Sequence, residues 1–395
     1  MAKRKWLSLA AALAGLALVV TACGSGGGGA GGSESGAAGT IKIGVTAPLS
    51  GDYASAGTDI VNAAKLAADE INAKGGVLGK KIEIVAEDDQ CDSQVGVQAA
   101  QKLMDEGVVA VAGGYCSSAS IPETGVLAQK HVAFVADAST NPDLTDKNPG
   151  NVFRVIGRDD QQGPFAAKFI AEVLGAKKAA VIHDNTTYAK GLAEEAKKGL
   201  EADGVQVVYF DAITPGEKDY TSTLTTVKGL NPDVIYYTGY FAEAGLLVKQ
   251  ARELGITATF MGGDATQDPT LIATAGDKAE GMIITTAPLP QFLTGAQDFV
   301  QSYKSKYGQD PGPYSVYEYD CVKLVADAIQ RANSTDPEKI VEALKQTKNY
   351  KGLTGDITFN EKGDRTGELY ITTIVKDGKF QPYKKYENGQ WVDIQ

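Results

Sequence analysis

The sequence predicts an α/β protein folded as two doubly wound lobes, and three observations carry that reading. Short apolar, β-branched runs alternate with amphipathic stretches from Ile41 onward, the pattern of parallel strands covered on both faces. The alternation runs twice, once from Ile41 to Ala136 and again from Ala179 to Thr285. The loops that follow the strands are rich in Ser, Thr, Tyr and Asp, and polar solutes settle beyond the carboxyl ends of such strands.

In the first series, Ile41–Thr46, Ile82–Ala86, Val108–Ala112 and Val132–Ala136 read as strands. Asp59–Lys74 places Ala63, Leu66, Ala67 and Ile71 on one helical face and stops at Gly75-Gly76, a helix C-terminal signal. Gln94–Asp105 and Ile121–Lys130 are further helices, the latter with Pro122 in its first turn. In the second series the strands are Ala179–His183, Val205–Phe210, Val234–Tyr237, Thr259–Met261 and Gly281–Thr285, with helices at Gln162–Leu174, Lys190–Ala202 and Ala242–Leu254. Tyr314–Arg331 and Pro337–Gln346 are helices, Gly352–Asn360 is a loop with a short strand, and Leu369–Val375 with Gln381–Tyr386 form a hairpin about Asp377-Gly378.

Ahead of this, Lys3, Arg4 and Lys5 precede the apolar run Trp6–Val20. That run is short for a membrane span and has the layout of a secretory leader. Val20-Thr21-Ala22-Cys23 resembles the lipobox of bacterial lipoproteins, which implies removal of residues 1–22 and a lipid on Cys23. The alternative is a plain leader with an incidental cysteine. Residues 23–39, dominated by Gly, Ser and Ala, read as a tether. They are no phosphate loop, since no strand precedes them and no Gly-Lys-Ser/Thr follows. With 43% hydrophobic and 22% charged residues and a net charge of −11, the chain is globular and acidic. Loss of the leader's three cations makes it more so, which argues against nucleic acid as a partner.

Gly113–Ser120, reading Gly-Gly-Tyr-Cys-Ser-Ser-Ala-Ser, links a strand to a helix and so aims backbone N–H groups at an anion. The hydroxyls of Ser117 and Ser118 add donors. The same stretch also reads as an ordinary strand–helix turn. Cys116 lies in it, and Cys91 lies in the loop Asp88–Asp92; a disulfide between them would make the two loops one wall of a small-molecule site. Cys321, in the apolar helix Val316–Ile329, is a competitor for that pairing and otherwise a buried free thiol. Catalysis finds no support. His131 starts a strand and His183 ends one, there is no Gly-x-Ser-x-Gly elbow, and no Cys/His spacing suits a metal or cofactor.

Ala47-Pro48-Leu49-Ser50-Gly51, Ile71–Gly76, Asp88-Asp89-Gln90-Cys91-Asp92, Cys116-Ser117-Ser118, Asp159-Asp160-Gln161-Gln162-Gly163-Pro164, Thr214–Asp219 and Phe260-Met261-Gly262 occur in this order. The ordered set, from about Ile41 to about Gly367, resembles the branched-chain amino acid (Leu/Ile/Val)-binding proteins of ABC importers. The resemblance implies the type I periplasmic binding protein fold: two Rossmann-like lobes joined by three hinge crossovers, near Ile156–Asp160, Ala287–Pro290 and Thr366–Glu368. Residues 40–157 and 288–366 then form lobe 1, and 158–287 and 367–395 form lobe 2. It implies a monomer, held by lipid to the outer face of the cell membrane, that hands an amino acid to a membrane permease.

By the same resemblance Ser117 and Thr140, with the backbone of Ala138 and Thr140, meet the ligand's carboxylate, and Asp264 meets its ammonium. Tyr188 and Tyr240 come from the closing lobe, and Tyr314 lines the tail pocket. Read locally, Asp264 also suits a turn cap, Thr140 a local turn, and the two tyrosines a loop surface. Three departures bear on the tail. The loop Asp52–Thr58 lacks an aromatic where relatives have one, with Ala56 at the matching place; Tyr115 replaces an aliphatic residue; and Asp264 is one methylene shorter than the usual Glu. The same fold also serves ligand-sensing receptor subunits, and receptors for other small amino acids, amides or aromatic acids.

Overall fold

The structure is a computed structural model and describes residues 39–394. The first sheet is wholly parallel. Its strands are β1 (Thr40–Ala47), β2 (Lys81–Asp88), β3 (Ala110–Gly113), β4 (Ala133–Ala136) and β5 (Val152–Arg154), in the order β2-β1-β3-β4-β5. Helices α1 (Ala54–Ala73), α2 (Ser93–Asp105), α3 (Ser117–Leu127) and the single turn α4 (Asp143–Asp146) connect them. The β1 and β3 side chains are almost wholly buried, as a strand covered on both faces requires.

The second series is α5 (Asp159–Glu172), β6 (Lys178–His183), α6 (Thr187–Ala202), β7 (Gln206–Ala212), α7 (Thr221–Leu230), β8 (Val234–Tyr237), α8 (Phe241–Glu253), β9 (Thr259–Gly262), α9 (Pro269–Ala275) and β10 (Ile283–Thr286). Next come α10 (Gln297–Tyr307), α11 (Ser315–Ala332), α12 (Pro337–Lys345) and a small hairpin of β11 (Tyr350–Gly352) with β12 (Gly355–Ile357). The chain closes with β13 (Ile371–Lys376), β14 (Lys379–Glu387) and β15 (Gln390–Asp393). The second sheet runs β15-β14-β13-β10-β9-β8-β6-β7, parallel from β7 to β10 and antiparallel beyond.

The chain passes between the sheets three times. It leaves the first after β5 and the second after β10. Helices α10 and α11 then dock on α1, where the Tyr307 hydroxyl donates to the Asn62 carbonyl at 2.9 Å and the Gly312 N–H to Asp59 at 2.9 Å. Residues 363–365 lie against β5 through Arg154 N–H to Gly363 carbonyl (2.9 Å) and Arg365 N–H to Arg154 carbonyl (3.0 Å) before β13 rejoins the second sheet. Strand order reverses between β1 and β3 and between β6 and β8. Such reversals open a crevice at the strands' carboxyl ends, and the site is built from the loops there.

Several elements begin earlier than the periodicity implied. Helix α3 starts at Ser117, so Pro122 sits in its interior and leaves one carbonyl without its intrahelical partner. Local propensity disfavours Ser-Ser-Ala-Ser as helix; tertiary anchoring of Cys116, its N-cap in extended geometry, overrides it. Most of Asp52–Thr58 is the first turn of α1, and Thr187–Ala189 belongs to α6, capped by the Thr186 hydroxyl accepting from the Ala189 N–H at 3.2 Å. His131 takes a left-handed turn (φ 55°) ahead of β4 and does not start the strand. Strand β5 is three residues long, too short to leave a periodic trace.

Candidate functional site

Gly113 and Gly114 turn the chain out of β3 with φ of 120° and 103°. A Cβ on Gly114 would lie 2.5 Å from the Phe134 ring, so only glycine lets the turn sit on β4. Cys116 follows and is bonded to Cys91, with Cα atoms 5.2 Å apart; Cys321 is the buried free thiol. Cys91 and Gln90 both take left-handed backbone (φ 54° and 51°), and the Asp89 carboxylate accepts from the Cys91 N–H at 2.8 Å. The Ser118 hydroxyl is spent on the Cys91 carbonyl at 3.0 Å, so it is no free donor. Ser117 Oγ accepts from the Asn141 N–H at 3.3 Å. This joins the start of α3 to the loop Ala138–Asn141, where Thr140 is fully buried and its hydroxyl has no partner in the protein.

From the other side come Tyr188 in the first turn of α6, Tyr240 at the start of α8 and Asp264 just after β9. The Tyr188 hydroxyl donates to Asp264 Oδ1 at 2.7 Å and the Tyr314 hydroxyl to Oδ2 at 2.9 Å. Asp264 is therefore held by two phenols and caps no helix. The rings form one continuous cluster: Tyr240 lies 5.3 Å from Tyr188 and 5.7 Å from Tyr115, and Tyr115 lies 5.4 Å from Tyr314. All four are buried. The Asn141 side chain reaches the Thr187 carbonyl at 2.9 Å, a direct tie between the two series.

Four residues join the cluster unannounced. Tyr53 lies 4.6 Å from the Tyr240 ring and corrects the expectation that the loop Asp52–Thr58 brings no aromatic; it enters three residues before Ala56 on the earlier start of α1. A cavity of about 310 Å³ opens beside it, lined by Ser50, Asp52, Gln90, Pro215 and Glu243. Asp159, first residue of α5, donates its N–H to the Thr140 carbonyl at 3.0 Å. Tyr370 and Tyr237 are buried with unpartnered hydroxyls. Asp159 stood within a quoted motif; Tyr53 and Tyr370 carried no sequence signal.

Burial lifts the Asp264 carboxyl above its ordinary value, while the Tyr188 and Tyr314 hydroxyls pull it back. Asp159 is raised well above the carboxylate range, by burial first and the Asp264 charge second. The Thr140 hydroxyl lies near enough to oppose this without forming an aligned bond. The neighbouring guanidiniums are committed elsewhere: Arg154 to Asp364 and the Ser139 and Asn141 carbonyls, Arg158 to Asp146, Asp160 and Asp364. His183 takes no part, since its Nδ1 accepts from the Asn185 N–H and its ring packs 5.3 Å from Phe210. Among the described residues no set of three His, Cys, Asp or Glu side chains is placed to hold a metal ion, and no helix is long and apolar enough to cross a membrane. Acceptors for a cation and a hydroxyl beside a helix start, enclosed by phenol rings, form a binding arrangement.

The family model "Periplasmic binding protein" matches residues 40–379. The leucine-, isoleucine-, valine-, threonine-, and alanine-binding protein of Pseudomonas aeruginosa is 37% identical over 84% of this chain and 89% of its own length. A leucine-binding protein of Thermotoga maritima superposes with a TM-score of 0.82 at 34% identity, covering 87% of this chain and 97% of its own. The branched-chain amino acid transporter substrate-binding protein of Streptococcus pneumoniae, solved with isoleucine, gives 0.81 at 29% identity over 87% and 98%. With the two lobes and the cluster between them, these likenesses lead to one conclusion: the chain is a solute-binding protein of the periplasmic binding protein family, with the type I fold and on the branch of the Leu/Ile/Val-binding proteins.

Proposed function

We propose that this protein is the extracytoplasmic receptor of an ABC importer, a monomer that closes on one α-amino acid, branched-chain first, and hands it to a membrane permease. The observation that carries the reading is the pairing of Asp264, gripped by the Tyr188 and Tyr314 hydroxyls, with the unpartnered Thr140 hydroxyl. Buried charges of a zwitterion cost several kcal/mol unless each is met. Asp264 meets the ammonium, and Ser117, Thr140 and the Ala138 and Thr140 backbone meet the carboxylate. Tyr115, Tyr240 and Tyr314 enclose the side chain. Lobe 1 comprises residues 40–157 and 288–366, lobe 2 residues 158–287 and 367–395, and closure about the three passages brings the two groups together. Residues 1–22 are the leader and Cys23 the lipid anchor on the outer face of the membrane; both lie outside the described residues.

A thermal-shift panel of amino acids and related acids tests the reading. A ligand at 100 times its dissociation constant adds about 2.7 kcal/mol of stability. The panel is expected to pick out aliphatic α-amino acids. No shift with any α-amino acid overturns the zwitterion assignment.

A further inference from the structure

Behind the candidate site lies a pair of acids that no ligand contact uses. Asp137 directly follows β4, Glu318 stands in the first turn of α11, and α11 packs on β4. Both side chains are fully buried, and none of their four carboxyl oxygens has a partner in the protein. Glu318 lies within the field of Asp137. Two neighbouring carboxyls so enclosed keep their protons, because each ionised form is costly without a cation and the second is costlier than the first.

No cation stands ready around them. Asp59 faces Asp137 from α1 and Asp89 from the loop after β2, with Glu123 of α3 beyond Asp89. Asp59 accepts from the Gly312 N–H and Asp89 from the Cys91 N–H. Helix α11 adds Cys321 and Asp320, the latter accepting from the Leu353 and Thr354 N–H groups. Arg365, whose field reaches Cys321, donates to the Val155 and Thr354 carbonyls and the Thr354 hydroxyl. Arg154 of β5 is held by Asp364. Strand β3 and the buried face of α12 are apolar.

The pair is tied to the site at both ends. Asp137 precedes Ala138, whose N–H lies close to the Asp137 carboxyl without forming an aligned bond. The Glu318 N–H donates to the Tyr314 carbonyl at 3.0 Å, so a single helical turn separates this acid from a ring assigned to the ligand's tail. With the pair neutral, the Ala138 N–H is left for the ligand's carboxylate. Ionisation makes Asp137 a strong acceptor for that N–H and sets a negative charge behind the place where the ligand's own negative group lands.

We propose that Asp137 and Glu318 form a proton-holding pair that governs capture: the protein binds its amino acid with the pair neutral and releases it as the pair ionises. The inference rests on the amino acid reading above. A ligand carboxylate beside the pair favours its protonated form, so linkage requires affinity to fall as pH rises through the value of the free protein. Burial pushes Asp137 up to about 8, which places the fall at mildly alkaline pH.

Calorimetric titration of the full-length protein and of Asp137→Asn with leucine, from about pH 6 to about pH 9, tests this. Wild-type affinity is expected to drop about tenfold over the alkaline part of the range. Asp137→Asn is expected to hold a flatter profile and to bind leucine more tightly than the wild type at the alkaline end. Asp59, Asp89, Asp159, Asp264 and the ligand's own ammonium titrate in both proteins, so the difference between the profiles reports the pair. Parallel profiles, whatever the affinity, overturn the assignment and leave the amino acid reading standing. Failure of the wild type to bind any amino acid overturns both. Should Asp137→Asn not fold, Glu318→Gln replaces it: removing the acid beside Asp137 is expected to shift the profile along the pH axis, and an unshifted profile overturns the assignment.

Discussion

Two buried polar clusters lie side by side and differ in how completely they are satisfied. Around Arg154 the guanidinium bonds Asp364 at 2.6 and 2.9 Å, Thr145 at 2.7 Å and the Asn141 carbonyl at 2.8 Å, while Arg158 takes the other Asp364 oxygen at 2.8 Å. Five residues further along the chain from Arg154, Asp159 is as deeply buried and bonded to nothing by its carboxylate. A closed network of charges holds structure in place, here fastening residues 363–365 to the edge strand beside a passage between the lobes. An open one leaves the desolvation of a buried polar group unrecovered within the protein.

Breaking the closed cluster has the largest expected effect. Arg154→Ala leaves Asp364 buried with less than its full complement of partners, and such losses cost about 3–5 kcal/mol. Denaturant unfolding is expected to show that drop, with ligand affinity of the remaining folded protein changed little. A variant as stable as the wild type would mean that the network is not structural. Next comes the candidate site beside it. Asp264→Ala removes a charged acceptor, so the affinity for an amine-bearing ligand is expected to fall roughly 10–100-fold, while the unliganded protein loses less stability than Arg154→Ala, since the removal of a buried carboxylate offsets the two phenol hydroxyls left unpaired. An equal fall in stability would erase the contrast between the clusters.

A pH-dependent effect sharpens the comparison from a third site. Asp137 and Glu318 are fully buried and none of their carboxylate oxygens has a partner. Burial pushes Asp137 up to about 8, and burial together with the Asp137 charge pushes Glu318 well above its ordinary value. For an acid raised on folding, the contribution to stability is complete below its unfolded value, 3.8 for Asp137, and is lost as pH climbs to about 8. Asp137→Asn is therefore expected to melt like the wild type near pH 4 and higher near pH 8, by about 2–4 °C for each kcal/mol relieved. Parallel melting curves across that range would show that Asp137 is solvated.

Much of the site was legible before the fold. Ser117, Thr140, Tyr188, Tyr240, Asp264 and Tyr115 fall in loops or helix starts at strand ends, Tyr314 stands at the start of α11, and the structure brings their elements to one place. Tyr53 was missed because the match was made at Ala56, and the early start of α1 swings a different side chain inward. Asp159 was in view as part of a motif but carried no role, since a first-turn aspartate looks the same whether it faces water or a sealed site. Pro122 was set in a first turn because proline's local preference is strong, yet anchoring at Cys116 began the helix four residues sooner.

By itself the sequence determined the alternation of strand and helix, the acidic character of the chain and the polar chemistry of its loops, because periodicity and side-chain type are local properties. Tertiary structure alone decided that Tyr188 and Tyr314, 126 positions apart in the chain, grip the two oxygens of one carboxylate, and that of two neighbouring charged residues one is satisfied and the other is not. Those outcomes depend on burial and on partners brought from distant segments, and no local pattern records which buried group will find its complement.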